Sequence, residues 1–231
     1  MQLSQLRERV RLQTETTQAE LSNTAIDWYL QEAFNRIIAM ENEWPFFEKS
    51  WDLIVTAGET SVELPGDVNI PAVYSLRDVS TGRQLEMIDN VTAEKWFGSV
   101  DPASVYPVYY SIWSGSIYLW PRLSYGTDRD YSLNGFRLPG DWQAEGPEGE
   151  PDCDERLHRP MIHYACSLAY AAQEDLELED KYMRRWQTDN NSIIPSIMEP
   201  HHNRPLRVGP HVSTRIGPGP RGPSYVLVPP S

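Results

Sequence analysis

The sequence predicts an α+β fold in which N- and C-terminal helices form one helical bundle. An antiparallel β-sandwich or barrel-like insertion interrupts the bundle, and an extended C-terminal arm follows it. Apolar residues recur at helical spacing near both ends of the body, and short segments rich in Tyr and Trp fill the middle. Eight of the 19 prolines lie in the arm, which disfavours helix there. We predict that residues 1–50 form the first part of the bundle and residues 51–150 the insertion. Residues 151–198 form the second part of the bundle, and residues 199–231 form the arm.

Length and composition set limits on the class of protein. With 231 residues and 40% hydrophobic content, the chain can bury one sizeable core or two small ones. No apolar run approaches the about 18 residues that a membrane span requires, so no membrane partner is expected. The first residues are amphipathic and mixed in charge, unlike a signal peptide. We therefore expect the chain to remain in the cytoplasm.

Two helices are predicted before the first proline. The first covers residues 3–13, and the second begins at Ser22 or Asn23, either of which can cap a helix. The apolar residues of the second helix share one face: Ile26, Leu30, Phe34, Ile37 and Ile38. This helix is expected to end near Glu43, because Pro45 disfavours helical backbone at the residue before it.

Seven short strands and one short helix are predicted in the insertion. The strands are residues 51–57, 60–64, 73–79, 83–88, 108–113, 116–120 and 129–138, and the helix is residues 92–97. Turn residues between consecutive strands predict three hairpins, around Gly58, Gly82 and Gly115. Many short strands with frequent turns are typical of a small antiparallel sandwich or barrel.

Helical periodicity returns after a linker rich in Pro and Gly. Residues 154–173 and 181–198 are predicted helices, and the first of them carries one apolar face: Leu157, Met161, Tyr164 or Ala165, Leu168 and Ala172. Since an isolated helix cannot bury such a face, we expect it to pack against the second helix of the chain. Four aromatic residues where helix gives way to strand are expected to fix the angle between bundle and insertion: Trp44, Phe46, Phe47 and Trp51.

No metal site, cofactor or enzymatic activity is predicted. Four side chains capable of binding zinc lie close in sequence: Cys153, His158, His163 and Cys166. The two histidines are separated by about 140° around a helix, whereas paired zinc histidines require a spacing of four residues. The cysteines are interpreted as reduced thiols. No catalytic triad is recognisable, and the acidic run at residues 174–180 lacks the ligand spacing of a calcium loop, so it is interpreted as solvated.

The arm differs from the body in charge. Residues 199–231 carry four arginines and one glutamate, a net charge of +3, whereas residues 1–198 carry a net charge of −16. We predict that the arm grips a partner, and a free tail is the alternative. The arginines would seat it on acidic neighbours: Arg204, Arg207, Arg215 and Arg221. The apolar end would anchor it by adding a strand to an exposed sheet edge: Tyr225, Val226, Leu227 and Val228.

The order of these parts resembles the head-to-tail adaptor proteins of tailed bacteriophages, also called connector or head-completion proteins, of a podovirus-like kind. The resemblance covers residues 20–190 and depends on the ordered set of features, since no single motif is specific. These features are the helices, the exit at Trp44-Pro45-Phe46-Phe47, the hairpin at residues 58–67, and the segments at residues 117–121 and 131–136.

The resemblance implies a structural virion protein of the neck or tail, assembled in the host cytoplasm. Such subunits form a ring beneath the portal, usually a dodecamer, whose channel passes double-stranded DNA without specific binding. The implied partners are the portal protein, which the arm embraces, and tail or nozzle proteins. An acidic lining of that channel would repel DNA and prevent it from sticking.

Two alternatives stay open at this point. A tail-tube or nozzle subunit lower in the tail shares the combination of helices and sheet and also forms rings. A carbohydrate-binding or hydrolytic tail component belongs to a different class. It would need Trp and Tyr side chains exposed on one concave face, with paired carboxylates beside them.

Overall fold

A computed structural model describes residues 1–98, 106–122 and 126–199. It has the predicted α+β architecture. The helices are α1 (Leu3–Thr14), α2 (Asn23–Ile38), α3 (Asn90–Phe97), α4 (His158–Ala172) and α5 (Leu176–Met198). The strands are β1 (Glu48–Val55), β2 (Ser61–Glu63), β3 (Ser75–Asp78), β4 (Gln84–Met87), β5 (Tyr109–Trp113), β6 (Ser116–Trp120) and β7 (Arg129–Phe136).

The bundle consists of α1, α2, α4 and α5, with α4 in contact with each of the other three. The prediction that the second helix packs against residues 154–173 is therefore confirmed. Fully buried apolar side chains fill the interior, among them Leu6 of α1, Leu30 of α2 and Met161 of α4. Because α4 is covered on several sides, even His158 and Ser167 are buried. Apolar stripes on four helices thus share one core.

Three predicted helix boundaries are wrong. α2 ends at Ile38 rather than near Glu43, because the chain turns back and the indole Nε1 of Trp44 donates to the carbonyl oxygen of Ile38 (3.0 Å). The helix predicted at residues 154–173 begins with a 3-10 turn, Glu155–Leu157, and α4 itself starts at His158. α5 begins well before residue 181, because the side chain of Asp175 accepts a hydrogen bond from the amide of Leu178 (3.1 Å) and caps the helix.

The seven strands form one sheet in the order β1-β7-β3-β4-β5-β6-β2. Its two end strands, β1 and β2, contact each other, so the sheet is a nearly closed barrel. Every neighbouring pair is antiparallel except β4 and β5, which are parallel. The prediction of a wholly antiparallel insertion is therefore wrong for β4 and β5. Helix α3 supplies the crossover connection that a parallel pair requires.

Two of the three predicted hairpins are confirmed. β3 pairs with β4 and β5 pairs with β6, each antiparallel. The predicted hairpin around Gly58 is wrong, because β1 pairs with β7 and β2 pairs with β6. Gly58 has φ = 89° and leads the chain from one end strand of the sheet to the other. That turn closes the barrel instead of forming a two-stranded ladder.

Bundle and barrel have separate cores that meet at the aromatic residues around Pro45. Trp44 and Phe47 are buried in the bundle core, with Phe46 half-buried against it. Trp51 belongs to the barrel core, and its indole Nε1 donates to Asp67 (2.9 Å). The core role predicted for these rings is confirmed, but they are divided between two cores. The chain therefore passes from one core to the other within residues 47–51.

Candidate functional site

The predicted arm residues lie outside the described part of the chain, which ends at Glu199. These residues are Arg204, Arg207, Arg215, Arg221, Tyr225, Val226, Leu227 and Val228. Their docking role stays a prediction. The last described residue, Glu199, directly follows the C-terminal end of α5.

The C-terminal end of α5 is held against the body. Ile197, in the last turn of α5, is buried in the bundle core. Arg156 donates from Nη1 to the hydroxyl of Ser196 (3.2 Å), and its guanidinium binds both carboxylate oxygens of Asp154 (2.9 Å and 2.8 Å). Asp154 in turn caps the 3-10 turn before α4. The arm therefore starts from a defined position beside the N-terminal end of α4.

The acidic run lies where α4 meets α5. Glu174 lies in the turn between the two helices and Glu177 in the first turn of α5, both exposed, while Asp175 caps α5. Asp180 pairs with Arg184 at 2.6 Å on the exposed surface of α5. The acidic run at residues 174–180 is thus solvated at Glu174 and Glu177, whereas Asp175 stabilises the start of α5. It lies at the far end of α5 from the arm.

The four side chains capable of binding zinc do not converge. Burial raises the pKa of both Cys153 and Cys166 to about 12, so both remain protonated thiols near neutral pH. Burial also lowers the pKa of His158 to about 4. His163 instead faces Asp189, with Nδ1 2.8 Å from Oδ2. Among residues 1–98, 106–122 and 126–199, no group of three or more His, Cys, Asp or Glu side chains could hold a metal ion.

The pair of His163 and Asp189 is a structural feature of the bundle interior. Both residues are buried, at 6% and 7% exposure, and Arg159 lies 3.2 Å from the same carboxylate oxygen of Asp189. Burial lowers the pKa of His163 and the neighbouring Asp189 opposes that shift. Both members are mostly buried, while the Arg159 side chain beside them is exposed.

A groove between the end of α2 and the C-terminal half of α5 was not predicted from the sequence. Its volume is about 490 Å³. The lining residues are Met40, Glu41, Trp186, Gln187, Asn190, Asn191, Ile194 and Pro195. Both amide atoms of Asn190 and the indole Nε1 of Trp186 are buried without a hydrogen-bond partner in the described part of the chain. Hydrophobic periodicity did not reveal Asn190, because asparagine is a residue type that is mostly exposed, although this one lies four residues after Trp186 on the buried face of α5.

An aromatic cluster on α3 and β5 has one exposed ring, that of Trp96. The rings of Trp96, Phe97 and Tyr109 contact one another, with centroids 5.7–6.3 Å apart. Trp96 is 58% exposed, whereas Phe97 and Tyr109 are half-buried; Tyr106 and Val108, which precede Tyr109 in the chain, are also exposed. Clustered exposed aromatic residues are typical of surfaces that bind other proteins. No helix among the described residues is both long and apolar enough to cross a membrane.

The structure joins a helical bundle to a nearly closed barrel, each with its own buried core. Comparison with protein families shows the class of protein to which it belongs. The family model described as SU10 adaptor protein matches residues 1–209, and the chain belongs to this family. It is a phage adaptor-type protein and hence a virion component, and its structural family indicates a non-enzymatic role. A search of curated proteins finds no match.

Proposed function

We propose that this protein is the subunit of an adaptor ring that joins the portal to the tail of a podovirus-like bacteriophage. The ring is a dodecamer that forms part of the DNA channel in the neck, and it assembles in the host cytoplasm. The observation that carries this proposal is the adaptor family match across residues 1–209. The C-terminal arm docks on the portal, and the opposite side of the ring contacts tail or nozzle proteins.

The chemistry of the arm supports portal docking. Eight prolines limit the conformations that residues 199–231 lose on binding. The apolar end, residues 225–228, has the composition of a strand that can add to a sheet edge through backbone hydrogen bonds. The four arginines of the arm favour binding to an acidic surface of the portal. Because α5 is anchored through Ile197 and Ser196, tension on the arm is transmitted to the bundle core.

The charge of the body supports a passive role toward DNA. Tight binding to DNA depends on lysine and arginine contacts to phosphate, whereas residues 1–198 carry a net charge of −16. A channel lined by such a surface repels the phosphate backbone and lets DNA pass. The exposed ring of Trp96, which packs against the half-buried rings of Phe97 and Tyr109, supports burial of this surface against a neighbouring subunit.

The test is electron microscopy of the full chain with the portal ring of the same phage, compared with a chain that ends at Met198. A full-length chain with a shuffled arm of the same composition is the matched control. We expect the unaltered full chain to bind the portal ring, and the other two proteins not to bind it. Circular dichroism should show a folded body in all three proteins. Attachment by the chain ending at Met198 would show that the arm is not the docking element. A ring or tube that forms without portal binding would favour a tail-tube or nozzle subunit.

A further inference from the structure

We propose that the edge of β1 that faces away from β7 is a docking site for an extended, basic segment of another virion protein. The segment adds a strand to the barrel through backbone hydrogen bonds to Ser50 and Asp52. We call residues 48–52 the open edge. The proposal rests on the chain being a virion component, and it does not depend on the arm or on portal docking.

The backbone of β1 is bonded to the sheet on one side. The amide of Arg137 donates to the carbonyl oxygen of Phe47 (2.8 Å), and the antiparallel register continues from there along the eight residues of β1. Hydrogen-bonded pairs alternate along such a ladder, so every second residue from Phe47 to Val55 bonds to β7. Ser50 and Asp52 lie between these residues, and their N–H and C=O groups therefore point away from β7.

β2 lies on that side but is too short to cover it. β1 and β2 contact each other, yet they are the two ends of the sheet, and no ladder between them is found in the described chain. The three residues of β2 span about 10 Å, whereas the eight residues of β1 span about 27 Å. The turn at Gly58 places β2 beside the last residues of β1. Residues 48–52 therefore extend past β2.

The chain that follows β2 leads away from the open edge. The amide of Asn69 donates to the carbonyl oxygen of Phe136 (2.9 Å), which places Asn69 on the side of β7 opposite β1. The backbone groups of Ser50 and Asp52 have no backbone partner within residues 1–98, 106–122 and 126–199. Both side chains are exposed, so another chain can reach this part of the strand.

A free row of N–H and C=O groups is a template for a further strand. The open edge therefore fits an extended peptide rather than a helix. Natural edge strands are commonly blocked by proline, a bulge or a free lysine. β1 contains no proline, its register with β7 is continuous, and its one lysine, Lys49, pairs with Asp67 (2.7 Å). None of these three features blocks the open edge.

Charge favours a basic segment over a second copy of this chain. The open edge of a second copy would bring the same exposed carboxylates, those of Glu48 and Asp52, against the first, and like charges across a ladder repel. A segment with lysine or arginine instead complements this surface. Ile54, which is 60% exposed, adds an apolar contact. Further exposed carboxylates lie on the two strands beside the open edge: Glu63 on β2 and Asp130 on β7.

Amide hydrogen exchange of the full chain, resolved by residue and without portal, tests the proposal. The probe is a peptide of about ten residues that alternates valine and arginine, and its control alternates valine and glutamate. In the free chain, we expect the amides of Ser50 and Asp52 to exchange fast and those of Trp51 and Leu53 to be protected. The basic peptide should slow exchange at Ser50 and Asp52 about tenfold or more, and the acidic peptide should not.

Three results would overturn the proposal. Slow exchange at Ser50 and Asp52 in the free chain would show that the open edge is already paired. Unchanged exchange with the basic peptide would show that the edge takes no strand. Equal protection by both peptides would show that charge does not select the occupant.

Two substitutions of one residue separate the backbone from the charge. Asp52→Pro removes the outward N–H, and an edge strand tolerates proline where its N–H is unbonded. Asp52→Asn removes the same carboxylate and keeps the N–H. We expect Asp52→Pro to weaken binding of the basic peptide about tenfold or more, and Asp52→Asn to weaken it about twofold to threefold. An equal loss in both variants would mean that the peptide binds by charge alone, which also overturns strand addition.

Circular dichroism checks that both variants are folded. If Asp52→Pro does not fold, hydrogen exchange of the unaltered chain decides by itself. Neither experiment contains portal, so failure here leaves portal docking to be decided by microscopy.

Discussion

Arg137 and Asp152 form a bidentate ion pair that joins the end of β7 to the start of the second half of the bundle. Nη2 of Arg137 donates to Oδ1 of Asp152 at 2.6 Å, and Nη1 donates to Oδ2. The amide of Gly140 also donates to Asp152 (3.0 Å), and the Arg137 guanidinium lies over the ring of Phe47. Barrel, linker and bundle are thus tied together by one carboxylate and one guanidinium.

Asp152→Asn should lower the free energy of unfolding by about 1–2 kcal/mol, because it replaces a charge-assisted pair by a weaker amide contact. Arg137 holds the pKa of Asp152 below its usual value. The stabilisation is therefore present above pH 4 and is lost as the pH falls through the lowered pKa. Urea unfolding from pH 7 to pH 3 measures it. Arg184→Gln breaks an exposed pair and should change nothing measurable; an equal loss in both variants would contradict the prediction.

Gly58→Ala should destabilise the barrel by about 1–2 kcal/mol, because Gly58 has φ = 89° and side chains disfavour that conformation. Space is not the cause, since an added Cβ meets nothing within 4 Å. Gly66 has the same open space without the positive φ, so Gly66→Ala is the matched control and should be nearly neutral. Thermal unfolding compares the two. Equal stability of both variants would mean that the turn between β1 and β2 adapts without cost.

The hydroxyls of Tyr170 and Tyr182 both donate to the backbone carbonyl of Gln13, at 3.2 Å and 3.0 Å. This carbonyl lies in the last turn of α1, where helix acceptors lack partners. Each single Phe substitution should cost about 0.5–1 kcal/mol, because the other tyrosine still satisfies the carbonyl. The double substitution should cost more than the sum. A double-mutant cycle by urea unfolding measures this coupling, and strict additivity would argue against a shared acceptor.

His158 should make the protein less stable as the pH falls from 6.5 to about 4. Burial lowers its pKa to about 4 in the folded chain, so the unfolded state binds more protons in that range. The loss from this group is at most about 1.4 kcal/mol per pH unit. The N-terminal amino group of Met1, Glu150 and Asp154 also influence it. His158→Gln should flatten the dependence of unfolding free energy on pH, and an unchanged slope would mean that folding does not lower the pKa of His158.

Replacing the four arm arginines by glutamine should weaken portal binding most at low salt. The screening length falls from about 10 Å at 0.1 M salt to about 3 Å at 1 M, so the difference from the unaltered chain should shrink as salt rises. The same substitution of exposed body residues is the control: Arg9, Arg77, Arg83 and Lys95. The measurement is the affinity of each variant and of the unaltered chain for the portal across that salt range. A loss that is independent of salt would point to lost packing rather than charge.

Local pattern was sufficient for the types of element. The 3.6-residue period of Ile26, Leu30 and Phe34 predicted α2, because burial of one face fixes the period of apolar residues. Short segments rich in Tyr and Trp between turn residues predicted the strands. Helix ends were less predictable. α2 ended early because Trp44 reaches back to Ile38, a contact that depends on where the following chain goes.

Strand partners could not be read from local pattern. The strands on either side of Gly58 fit a hairpin as well as any other pairing, since alternation gives the face of a strand and not its neighbour. β1 pairs with β7, from residues 129–136, and that long-range pairing closes the barrel.

The sequence by itself determined the α+β composition, the opposite charges of body and arm, and the likeness to phage adaptors, because each depends on residue types and their order along the chain. Only the tertiary structure decided which strands are neighbours, that His158 and His163 are both buried, and that Asn190 and Trp186 line one groove. These properties depend on which surfaces meet, and contacts between distant parts of the chain leave no periodic signal in the sequence.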